Sequence, residues 1–62
     1  MADELLRVRQ AGELLGLGHS KVYELLRAGE LRSVRIGRAR RIPRAEVAAF
    51  VARRMAEAEA GR

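Results

Sequence analysis

The chain has no cysteine and no tryptophan, one histidine, one proline, one phenylalanine and one tyrosine. Without cysteine there is no disulfide and no thiolate metal site. A lone histidine, His19, cannot build a metal cluster, and the sequence implies no metal and no cofactor. No apolar run approaches the ~20 residues that cross a bilayer. Asp3 and Glu4 stand where a secretory signal would carry its basic residues, so a cytoplasmic protein is expected. No catalytic set is apparent: there is no Ser/His/acid group beyond chance and no phosphate-cradling glycine loop. A binding protein is expected rather than an enzyme. Sixty-two residues make one small domain, residues 1–62. Such a domain must be held by a compact apolar core.

A further absence is local. Residues 32–44, RSVRIGRARRIPR, contain six arginines and no acid, while the other 49 residues hold seven basic and eight acidic groups. The positive charge is therefore a patch on a nearly neutral body. Such a patch implies a polyanionic partner: nucleic acid, an anionic membrane or an acidic protein.

Periodicity then gives the elements. Residues 5–8, LLRV, read as a short extended lead-in. Ala11, Leu14 and Leu15 recur at i, i+3, i+4 and predict a helix of about two turns. Gly12 weakens that helix, and Gly16 supplies a left-handed stop. Val22, Leu25 and Leu26 repeat the pattern in a second helix, with Gly18 as its N-cap and Gly29 at its end. Val34 and Ile36 then alternate with Ser33 and Arg35, as in a strand with one buried face, a phase that Leu31 does not fit. A loop of Gly37, Arg38 and Ala39 would set Val34 opposite Ile42, Arg35 opposite Arg41 and Ile36 opposite Arg40. That register puts the apolar pair on a common face. Pro43 suits the first turn of a third helix, running to the high fifties with Val47, Phe50, Val51 and Met55 as its core stripe. Residues 56–62 are expected to fray.

Two short helices joined by a glycine-containing turn make a helix-turn-helix, here followed by a basic β-hairpin and a packing helix. The expected fold is mainly α with a small antiparallel hairpin: a three-helix winged helix-turn-helix. The second helix would enter a major groove with its N-terminal half. Its outward residues are His19, Ser20, Lys21, Tyr23 and Arg27, with Glu24 among them. Arg35, Arg38, Arg40 and Arg41 would carry the hairpin's contacts, Arg38 at its tip. Like charges paired across strands destabilise an isolated hairpin, and against phosphates they become contacts. Arg7, Arg9, Arg53 and Arg54 read as solvated.

At these residues the chain resembles the MerR-like excisionase family of small winged helix-turn-helix domains, which includes AlpA-like regulators. The resemblance spans residues 5–51 and rests on VYELLRAGEL and on RIGR followed by RIPR. It departs from the usual pattern at Gly18, where Ser is the common N-cap, and at Ala39 and Arg40, where many members carry an aromatic. It implies that residues 19–27 and the wing around Arg38 meet double-stranded DNA. It further implies an excisionase: a recombination directionality factor that binds and bends DNA near an attachment site, with an integrase as a partner and copies side by side on adjacent sites. The expected location is then cytoplasmic and nucleoid-associated, with no membrane role. A small MerR-like transcriptional regulator would use the same surface. A module of another class would dock its wing on an acidic protein, with Met55 and the Ala-rich tail as a self-association surface.

Overall fold

In a computed structural model, residues 4–61 are described. They form β1 (Leu5–Leu6), α1 (Val8–Leu15), α2 (His19–Arg27), β2 (Val34–Ile36), β3 (Ala39–Pro43) and α3 (Arg44–Ala60). The architecture is the expected winged helix-turn-helix, with one addition. The lead-in segment pairs with β3, so the wing belongs to a three-stranded antiparallel sheet of order β1-β3-β2.

Both helices of the helix-turn-helix end in the same way. At α1, the Gly16 N–H donates to the Glu13 carbonyl (3.3 Å) and the Leu17 N–H to the Gly12 carbonyl (2.8 Å). At α2, the Gly29 N–H donates to the Leu26 carbonyl (3.2 Å) and the Glu30 N–H to the Leu25 carbonyl (3.0 Å). Gly16 and Gly29 have φ of +70° and +77°. These are Schellman endings, in which a left-handed glycine lets the chain turn back onto the orphaned carbonyls. The second one sends Leu31 into the core, where it is 1% exposed. Leu31 has no phase in the strand pattern because its position is set by the turn.

Gly12 has a role that helix propensity does not reveal. It is buried, and a Cβ there would lie 2.7 Å from the Leu17 carbonyl oxygen and 3.4 Å from Val22 Cγ2. The residue permits the close approach of α1 to the turn and to α2. Leu6, Ala11, Val22, Leu25 and Ile42 fill the centre, and Val47 and Phe50 close it from α3.

The hairpin register differs from the expected one. Val34 faces Arg41, Arg35 faces Arg40 and Ile36 faces Ala39, leaving a two-residue loop of Gly37 and Arg38. Gly37 has φ of +63° and takes the first central position. That is the type II′ pattern, whose twist matches the flanking strands, and it prevails over the three-residue loop. A one-residue slip reverses the faces. Ile42 lies beside Leu6 on the core side, whereas Val34 and Ile36 are 42% and 57% exposed.

The α3 stripe is also shorter than expected. Val47 and Phe50 are buried, but Val51 is 39% exposed, Met55 is 61% exposed, and all of residues 51–61 are open to solvent. The small core ends at Phe50. The helix nevertheless continues to Ala60, within the segment expected to fray, of which Arg62 lies outside the described residues, and Pro43 caps it rather than opening its first turn. Arg54 anchors the projecting part: its guanidinium lies 5.2 Å from the Phe50 ring centroid and 2.8 Å from the Glu30 carboxylate. Arg53 donates to the Glu30 carbonyl. These two arginines are tied to the body rather than simply solvated.

Candidate nucleic-acid interface

An open cleft of about 770 Å³ lies between α2, the start of α1 and the wing. Tyr23 and Arg27 line it from α2, and Arg35, Arg38, Arg40 and Arg41 from the wing. Arg35 and Arg40 are cross-strand partners on the same side of the hairpin as Ile42, which turns them toward the helices. Arg41 Nη1 donates to the Arg40 carbonyl at 2.9 Å. The structure thus brings together six of the nine residues expected to contact DNA.

It adds Arg7, which sequence reasoning left in solvent. Arg7 caps α1, its N–H donating to Gln10 Oε1 at 2.9 Å, and its side chain borders the same cleft. Pairing of β1 with β3 puts it there, and the extended lead-in carries no sequence signal of that pairing.

Among the described residues no carboxylate lines the cleft. Among the described residues the ion pairs are Lys21–Glu24, Arg44–Glu4 and those of Arg54 with Glu30 and Glu57, and none includes a cleft arginine. Six guanidiniums thus share one concavity without compensating acid, an arrangement suited to phosphates.

The other three expected residues stand apart from the cleft. His19 and Ser20 are exposed in the first turn of α2, and the His19 ring meets Tyr23 edge-on at 6.5 Å. Together they present hydrogen-bonding groups at the end of α2 that a major groove would receive. Lys21 lies on the opposite flank of the helix. Its Nζ sits 3.4 Å from Glu24 Oε1, and it borders a hollow of about 380 Å³ with Leu15, Leu17 and Phe50. Glu24 is thereby explained as Lys21's partner.

A helix-turn-helix, a three-stranded wing and a cationic cleft between them define a winged helix-turn-helix protein. The comparisons with known proteins agree. The helix-turn-helix domain family matches residues 5–55. A probable excisionase of Saccharopolyspora erythraea is 50% identical over 56 residues, which cover 90% of this chain and 57% of that protein. An excisionase of Streptomyces ambofaciens is 42% identical over 58 residues, covering 94% of each chain. This chain belongs to the excisionase-type family of small helix-turn-helix domains. It spans little more than half the length of the first relative and nearly all of the second. No solved structure matches.

Proposed function

We propose that the chain is a sequence-specific double-stranded DNA-binding protein that acts as an excisionase, positioning and bending DNA beside an attachment site for an integrase. The observation that carries this reading is the acid-free cleft between α2 and the wing. A duplex backbone has the charge to lie in it. With one strand's phosphates held by Arg27, Arg35 and Arg40, α2 lies in the major groove on one side and the wing tip reaches the minor groove on the other. His19 and Ser20 then meet base edges, Tyr23 and Arg7 flank the backbone, and Arg38 enters the minor groove, where narrow A·T tracts attract arginine. Lys21 contributes at the edge of this surface. The two excisionase relatives favour recombination over promoter regulation or docking on an acidic protein.

The chain performs no chemistry in this reading and works with an integrase on the nucleoid, with copies bound side by side where sites repeat. Among the described residues no helix is long and apolar enough to cross a membrane. The test is a recombination assay with the integrase of the same element and a plasmid carrying both product attachment sites. Added protein should drive excision, and Arg38→Ala should reduce it. Excision that proceeds equally without the protein would refute the assignment.

A further inference from the structure

The cleft is lined mainly from one side of the wing, although Ala39 and Arg41 also border it. On the other side of the sheet, register and alternation bring together Leu5 and Pro43, then Ala39 and Arg41, then Val34 and Ile36. Leu5 and Val34 are each 42% exposed and Ile36 is 57% exposed. Five of these six positions are apolar, on a wing otherwise rich in arginine. Neither Val34 nor Ile36 belongs to the core or to the partly buried residues packed against it, so core packing does not account for their apolar character.

Position says what can. Ile36 immediately precedes the tip residues Gly37 and Arg38. A minor groove about 6 Å wide admits a hairpin tip and its flanking side chains, but not the sheet. A wing entering it turns the Arg35–Arg40 side toward the strand held in the cleft. Its other side then faces the opposite wall, where deoxyribose presents carbon edges between phosphates. Arg41 is the only charge on that face, and it is positive. Two copies packed face to face would bring Arg41 against Arg41, whereas a polyanion meets it favourably. Arg35 at the middle of β2 also blunts strand addition by another chain.

We propose that Ile36, with Val34 behind it, is the apolar flank that seats the wing against the sugar edges of the minor groove, and that this contact stabilises the bend. Bending a duplex costs deformation energy, which is repaid by the extra contacts that the bend permits. The inference rests on the DNA-binding reading above and assigns the stabilisation of the bend to two residues.

The experiment compares Val34→Thr/Ile36→Thr with wild type and with Ile36→Val, all in the full chain. Threonine keeps β-branching and strand propensity at exposed positions, and thermal melts check the fold. If the double variant melts early, Ile36→Thr alone is used. Binding and end-to-end fluorescence transfer are measured on a duplex with one site, and binding is repeated on tandem sites. Expected are about a tenfold loss of single-site affinity, a smaller bend, an unchanged salt dependence and near-wild-type behaviour of Ile36→Val. An unchanged bend and affinity in the double variant would overturn the inference. So would a loss seen only as cooperativity on tandem sites, which would assign the face to a second copy. If wild type fails to bind duplex DNA, the underlying reading falls too. If wild type binds with a steep salt dependence and the double variant matches it, only this inference falls.

Discussion

Gly12 is the residue at which helix propensity and tertiary packing disagree most. In the interior of α1, replacing glycine by alanine normally stabilises a helix by up to ~1 kcal/mol. Here the new methyl would sit 2.7 Å from a backbone oxygen in the turn that joins the two helices. The turn must open to admit it. Gly12→Ala should therefore destabilise by about 1–3 kcal/mol, read as a lower midpoint in urea, and a stabilised variant would show that the turn adjusts freely. Leu25 and Phe50 follow the ordinary rule for cores. Leu25→Ala should cost about 2–5 kcal/mol and Phe50→Ala about 3–5. A domain of this size holds little in reserve, so both variants should be largely unfolded near 37 °C by circular dichroism. At the DNA surface, His19→Ala should relax sequence preference by about 1–3 kcal/mol if its ring reads a base edge. Competition between cognate and random duplexes measures that directly.

Among the elements, the helices were the most legible in sequence. Their apolar residues recur at helical spacing, and Gly16, Gly18 and Gly29 punctuate them where the structure does. The wing was legible as a hairpin but not in register. Val34 and Ile36 look like one buried face because alternation reveals a strand's period and not which side is covered. The turn decided the matter: Gly37 at the first central position closes the loop after two residues. The lead-in was legible as an extended segment, but its pairing with β3 was not, and Arg7 was therefore read as solvated. The third helix was read as longer in the core than it is, because Val51 and Met55 continue a heptad-like spacing past the point where the small core ends. Two predictions belong at this scale. Gly37→Ala should cost roughly 1–2 kcal/mol, since a β-carbon at positive φ is strained, and should weaken DNA binding by misplacing Arg38. Removing residues 56–62 should change unfolding free energy by no more than about 0.5 kcal/mol, because the side chains of residues 56–61 meet little beyond solvent. A cooperative melt many degrees below wild type would mean that the tail packs on the body.

Across the whole molecule, charge is sorted by surface. Among the described residues the acids lie along α1, α2 and α3 or pair with Lys21, Arg44 and Arg54, and the wing and cleft keep arginines alone. This separation answers why residues 32–44 hold six arginines without an acid: four of them, Arg35, Arg38, Arg40 and Arg41, line the cleft. Held in one concavity with Arg7 and Arg27 they repel, and the repulsion is relieved when phosphates enter and release their condensed counterions. The central claim is that this cleft holds a nucleic-acid backbone, and salt tests it most directly. Affinity for a labelled duplex is measured across a series of monovalent salt concentrations. If about five phosphates are neutralised, log K should fall against log salt with a slope near −4.5. Arg27→Ala and Arg40→Ala should each bring that slope about one unit closer to zero. A flat dependence in the wild-type protein, or a slope unmoved by both substitutions, would contradict the account.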